Sequence, residues 1–267
     1  MKNASNKFYF LAGIILLFAS SCAPRVAEID VTGADAENII KKIELFESGV
    51  RSVKGLARVR IKTAADKVSY TQVTIAEEPN LIRLEALNPF GSTVGFISSD
   101  GRHIYIISSG EKGVYDAAEE FDLSYVYPGL DIRITAESLV NLVMGRLPLR
   151  IYEAAEKPEI AADAGLIKLT WRDAKSGEEN MLWVNHENYR VEKADFTLGN
   201  GERARLLYEY FGGLVDGHYF PRKIDFATGG LSINIVYEPD LELNGGVDRA
   251  LFTPSASIEK VGEQNYN

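Results

Sequence analysis

From residue 56 onward the chain alternates. Leu56-Ala57-Arg58-Val59-Arg60-Ile61-Lys62 sets apolar against charged positions with a period of two, the pattern of a strand with one buried face. The same period recurs through Val68 to Ala76, Leu81 to Leu87, Thr93 to Ile97, His103 to Ile107 and the short pair Val114-Tyr115. Between these runs lie Ala64-Ala65-Asp66-Lys67, Glu77-Glu78-Pro79-Asn80, Asn88 to Ser92, Ser98-Ser99-Asp100-Gly101 and Ser108-Ser109-Gly110, all short and rich in turn formers. Connections this short join antiparallel neighbours, so the first half reads as a meander. After an acidic stretch at 153–164 the alternation resumes in Leu166 to Trp171, Asn180 to Val184, Tyr189 to Leu198, Arg203 to Phe211, Tyr219 to Phe226 and Leu231 to Tyr237.

Helical periodicity appears twice. Over Asp35 to Val50, Ile39, Ile40, Ile43, Leu45 and Phe46 recur near helical spacing among Glu and Lys, and Gly49 marks the end. In the middle, Thr135 is an N-cap for a helix over Ala136 to Met144, with Leu139, Val140, Leu142 and Val143 on its apolar side. Gly145 closes that helix and Pro148 blocks its continuation. Glu119 to Tyr127 reads as a helical turn stopped by Pro128-Gly129, and Asp248 to Pro254 as a closing turn that plugs a sheet edge or rim. The expected fold is mainly β: a curved antiparallel sheet, or incomplete barrel, of about eleven strands with helices over its concave face. One domain spans 35–255, and 256–267 reads as a flexible tail.

The N-terminus reads as a processing signal. Lys2 and Lys7 precede an apolar run from Phe8 to Phe18, too short to span a bilayer comfortably, and small residues Ala19-Ser20-Ser21 lead to Cys22. Cys22 is the only cysteine, and its place directly after small residues resembles a bacterial lipoprotein signal in which the cysteine is lipidated. Residues 1–21 are then the signal and 22–34 a tether; the simpler alternative is an ordinary secretory signal cut near Cys22. Two or three acyl chains, at roughly 0.8 kcal/mol for each buried CH₂, anchor a protein stably. Ala23 rather than Asp after the cysteine favours the outer membrane over the inner.

Composition narrows the chemistry. A formal charge of −9 without a basic block argues against nucleic acid. His103, His186 and His218 lack ligand spacing, so no metal and no cofactor is expected. No G-x-S-x-G or H-E-x-x-H occurs, and the carboxylate pairs Glu77-Glu78 and Glu119-Glu120 sit at turns, where solvated charge is the ordinary reading, so no enzyme is expected. A large sheet with two helices to cover it is suited instead to enclosing an apolar cavity, which needs no motif residues to bind an apolar ligand. The competing reading is a sheet filled by its own side chains. Candidate lining residues are Val59, Ile61, Val73, Ile75, Leu84, Val94, Phe96, Leu139, Leu142 and Val143.

One turn stands out. Leu87-Asn88-Pro89-Phe90-Gly91-Ser92-Thr93 joins two strands and carries a phenylalanine at its tip, which either folds back onto the sheet or points outward. With the helix at 136–144 and its Gly145-Arg146-Leu147-Pro148 ending, this turn resembles the LolB family of outer-membrane lipoprotein receptors over residues 35–150. The resemblance implies an incomplete barrel with a helical lid over an apolar cavity. It implies a monomer that accepts the acyl chains of lipoproteins from a periplasmic LolA-like carrier and releases them into the outer membrane. It also implies that Pro89, Phe90 and Gly91 form a membrane-inserting turn. A non-enzymatic adaptor of an envelope complex, built on the same fold, is the alternative.

Overall fold

Among the described residues, fourteen strands join in one antiparallel sheet whose two ends do not meet. The computed structural model describes residues 29–108, 112–122, 132–148, 157–172, 177–198, 201–215 and 218–254. The signal, Cys22, most of the tether and the tail from 256 lie outside them. Strands β1 (Ser52–Thr63), β2 (Lys67–Glu77), β3 (Leu81–Leu87), β4 (Thr93–Asp100), β5 (His103–Ser108) and β6 (Lys112–Asp116) form a meander that ends at the β6 edge. Strands β9 (Glu159–Asp163), β10 (Leu166–Arg172), β11 (Glu179–Asn185), β12 (Val191–Thr197), β13 (Arg203–Val215), β14 (His218–Ala227) and β15 (Leu231–Tyr237) form a second meander. The two meet where β1 pairs with β15, and the two-residue β16 (Glu242–Leu243) also pairs with β1.

The expected fold class is the one observed, with more strands than the alternation suggests. The extra ones are edges: β9 lies in the acidic stretch at 153–164, and β16 is two residues long. Such strands carry little buried apolar surface, so their sequences show little periodicity. A separate two-stranded ribbon pairs β7 (Phe121–Asp122) with β8 (Arg133–Ile134). Where it is described, the helical turn expected from Glu119 is a bend at Glu119 leading into the strand Phe121–Asp122, in which buried Phe121 pairs with Ile134. The Tyr127 end of that turn lies outside the described residues.

Helices α1 (Ala36–Glu47) and α2 (Ala136–Val143) lie on one face of the sheet and share its main core. In α1, Ile39 and Ile43 are buried one turn apart, while Leu45 points to solvent. In α2, Thr135 accepts a hydrogen bond from the Ser138 amide at 3.1 Å, the N-cap expected of it. Ile29 and Val31 pack against the same core, so the end of the expected tether is held on the domain. The segment Asp248 to Pro254 plugs no edge. Its 3-10 turn, Arg249–Phe252, lies on the opposite face, where buried Phe252 packs with Ile75 and Leu81.

Candidate functional site

Cross-strand register decides which side chains face the helices. Val59 and Ile61 of β1 and Leu84 of β3 point into the main core, as do Leu139, Leu142 and Val143 of α2. Four other residues expected to line a cavity do not. Ala57 pairs with Gln72 and Gly55 with Thr74, so β2 presents Gln72 and Thr74 to the helix side and turns Val73 and Ile75 away. Ile75 is nevertheless buried, and Val73 partly so, under the 3-10 turn at Phe252. Phe96 likewise faces away and is buried against Ile107, with the Arg83 guanidinium 5.1 Å from its ring centre. Val94 is 44% exposed beside the β3–β4 turn. These strands are covered on both faces, so apolar residues fall at odd and even positions alike and alternation cannot assign a side.

Between the helix-bearing face and its cover lies an apolar pocket of about 100 Å³. The floor is Phe196, Leu198, Phe226 and Ile233; the roof is Ile132 and Ile134 of the β7–β8 ribbon with Thr135, Ser138 and Leu142 of α2. The floor residues were missed in the sequence, although each occupies an inward position of a recognisable strand. Only the register, Ile61 opposite Ile233 and Ile233 opposite Phe226, brings them together. A larger recess of about 470 Å³ beside α1 has mixed walls, Asp30, Asp35, Lys42 and His186 alongside Ile29, Val31, Ile39 and Ile167, with Lys42 Nζ donating to Tyr189 Oη at 2.9 Å. The carboxylates and the Lys42 ammonium among those walls make it a poorer match for an acyl chain than the smaller pocket.

The roof is tied down at one end. Tyr237 donates its hydroxyl to the Val143 carbonyl at 2.6 Å, and Tyr208 donates to the Arg146 carbonyl. Arg146 Nη2 reaches Glu78 at 2.8 Å and also the Val50 carbonyl, and the Leu147 amide donates to Glu47. Burial pushes both tyrosines well above their ordinary range, and at Tyr208 the nearby Glu47 charge adds to it, so both stay neutral donors. Gly145, at φ +72°, sits so close that an added Cβ would lie 2.3 Å from Pro221 Cγ. All of these ties hold the C-terminal end of α2. The N-terminal end, with Thr135 and Ser138, lies over the pocket.

The pocket lies toward the sheet end that carries the β1–β2, β3–β4 and β14–β15 turns, since Ile233 pairs with Ile61 two residues from the end of β1. At that end stands Phe90, 93% exposed. The side chain of Asn88 builds the turn: its Oδ1 accepts from the amides of Phe90 at 2.9 Å and Ser92 at 3.0 Å, while Gly91 takes φ +82°. Pro89 thus sits in a turn fixed by its neighbours, and Phe90 points outward. Val94, and Val68 at 50% exposure, add apolar surface at the same rim.

No protein-family model matches the sequence, and no curated protein matches it. Solved structures share the fold. A LolA-superfamily protein from Nitrosomonas europaea superposes with a TM-score of 0.54 at 15% identity, covering 83% of this chain and 99% of the other. A putative outer-membrane lipoprotein-sorting protein domain from Vibrio parahaemolyticus gives 0.52 at 12%, covering 82% and 97%. A DUF1329-family protein from Desulfovibrio piger gives 0.58 at 11%, with the same coverage of 82% and 97%. The likeness establishes a LolA-type fold, an open and curved antiparallel sheet with a helical cover.

Proposed function

We propose that this protein is a lipid-anchored receptor that takes up the acyl chains of lipoproteins between its sheet and the α2 cover and passes them to the membrane on which it sits. The observation that carries the reading is the apolar pocket between Phe226, Ile233 and Leu142, placed toward the rim where Phe90 stands exposed. An acyl chain leaving that pocket meets the apolar rim before it meets water. Anchoring through Cys22 in the outer membrane, with a LolA-like carrier as donor, completes the reading, which involves no chemical step.

Volume sets a condition on this reading. Ligand pockets typically hold about 300–1,000 Å³, and this one holds about 100 Å³. Uptake therefore requires the roof to lift. The ties at Val143, Arg146 and Leu147 leave the Thr135 end of α2 as the part that moves.

The small volume also favours the second reading, an adaptor lipoprotein whose sheet is filled by its own side chains. One experiment separates the two. A fluorescent triacylated lipopeptide, loaded on a LolA-like carrier, is mixed with the mature chain carrying Cys22→Ser, with Ser138→Phe and Phe90→Glu as variants. The receptor reading expects uptake by the parent chain, loss of uptake in Ser138→Phe, which fills the pocket, and normal uptake but lost delivery to vesicles in Phe90→Glu. No uptake by any of the three leaves the adaptor.

A further inference from the structure

The outer face of the sheet, away from the helices, carries a ladder of charged side chains, and most of them are neutralised. Lys193 and Arg205 bracket Asp195 at 3.3 and 2.8 Å, and Lys223 pairs with Asp225 at 2.7 Å and with Glu209. The β1–β2 hairpin breaks this rule. On its outer face stand Arg58, Arg60, Lys62 and Lys67, all exposed. Their neighbours across the ladder are Thr71 and Val236 for Arg58, Ser69 and Asn234 for Arg60, and Ser232 for Lys62, while Lys62 and Lys67 face each other. None of these neighbours is a carboxylate. Asp225, the nearest acid toward β14, is already held by Lys223 and by the Asn234 amide at 2.7 Å. In the hairpin turn, Asp66 Oδ1 accepts from the Lys67 backbone.

Four cations against the one carboxylate of Asp66, with Arg60 also donating to Asn234 at 3.2 Å, form on a chain of net charge −9 a local field opposite in sign to the whole. Screening makes the local sign the one that counts. At physiological ionic strength the Debye length is about 8 Å, so charges on the far side of the body act weakly on a surface that the hairpin touches. The hairpin also lies beside the apolar rim. Leu87, the last residue of β3, stands level with Thr71 and Arg58 in the ladder, so the Phe90 turn projects alongside Arg60 and Ser69. Exposed Val68 also belongs to the hairpin, on its inner face opposite Ile61.

We infer that the outer face of the β1–β2 hairpin is a docking surface for the anionic phosphoryl headgroups of a phospholipid bilayer, and that it sets the angle at which the anchored domain meets the membrane. Cations beside an exposed aromatic side chain match a headgroup layer over an acyl layer, whereas an acidic protein surface would leave Phe90 in water. The inference extends the receptor reading but does not need the pocket. With the hairpin against headgroups and Phe90 beside it, the rim toward which the pocket lies faces the bilayer.

The test is sedimentation of the mature chain with Cys22→Ser on vesicles of phosphatidylcholine alone and of phosphatidylcholine mixed with phosphatidylglycerol. The parent chain is expected to prefer the anionic vesicles and to lose that preference in high salt. Each cation removed lowers the anionic partition by up to roughly five-fold, so the triple variant Arg60→Gln, Lys62→Gln, Lys67→Gln, which keeps only Arg58 of the four, should lose nearly all of that preference. These side chains are exposed, and circular dichroism checks that the variant is folded. Phe90→Glu should lower binding to both vesicle types; if it changes neither while the triple variant abolishes the anionic preference, the docking surface stands and the inserting turn falls. Equal binding of the parent chain to both vesicles, no binding to either, or an undiminished anionic preference in the triple variant overturns the inference.

Discussion

The buried hydroxyl of Tyr237 on β15 donates to the Val143 carbonyl on α2 at 2.6 Å, joining the roof of the pocket to the strand that carries its floor. Val143 ends α2, where carbonyls have no intrahelical donor. Tyr237→Phe leaves that carbonyl unpaired inside the core at a cost of about 1–3 kcal/mol. The check is the midpoint of urea unfolding. In the receptor reading the same variant also speeds lipopeptide uptake, because it loosens the fixed end of the roof.

Two glycines share a backbone conformation and differ in their surroundings. Gly91 has φ +82° with open space around it, and Gly145 has φ +72° with Pro221 pressed against it. Gly91→Ala should cost only the backbone term, about 1–2 kcal/mol. Gly145→Ala must add a clash with a ring that has no freedom to withdraw, and should be the more destabilising by at least about 1 kcal/mol. Paired thermal melts of the two variants decide it, and equal losses would disprove the packing of the α2 terminus on Pro221.

The face away from the helices has a core of its own. Phe252 is fully buried there with Ile75 and Leu81, and its carbonyl accepts from Ser98 while the Leu251 carbonyl accepts from Arg83. Phe252→Ala should cost about 3–5 kcal/mol, the range for a buried phenylalanine. A loss under about 1 kcal/mol in chemical denaturation would mean that the 3-10 turn is only loosely laid on the sheet.

That second core explains what the sequence hid. Alternation located nearly every long strand, and the N-cap at Thr135 placed α2 to within a residue of its observed end. The same alternation misassigned β2. Val73 and Ile75 are its most apolar outward positions, and Gln72 and Thr74, which bond to each other at 3.0 Å, are its inward ones. A pattern of two reports which residues share a face, not which face is covered, and here distant chain at 248–254 covers the second. The pocket was invisible for a related reason. Its floor comes from β12, β14 and β15 and its roof from 132–142, which only the β1–β15 pairing brings to one end of the sheet. Phe90 stood out because a large apolar side chain on an Asn-Pro-Phe-Gly turn breaks the rule that turn tips are polar, but only the family resemblance chose between folding back and pointing outward.

Asp195 gives the fold an acid-sensitive joint. Burial raises its carboxyl, but hydrogen bonds and charges from Arg205 and Lys193 outweigh burial and hold it below its ordinary 3.8. A carboxylate whose folded-state value is depressed binds protons more readily when unfolded, so its stabilisation is present above that ordinary value. It is lost as pH falls below 3.8 toward the lower folded-state value. Asp195→Asn removes the charge and leaves Arg205 and Lys193 facing each other across β12 and β13. At neutral pH the variant should be less stable than the parent chain, because the buried Asp195 carboxylate no longer balances the partly exposed Arg205 and Lys193. The gap should narrow steadily as the pH is lowered through that window, when the parent carboxylate becomes protonated. Urea midpoints for both chains, measured from neutral to strongly acidic buffer, test this directly: a gap that stays constant across the range would show that Asp195 contributes through packing and not through its charge.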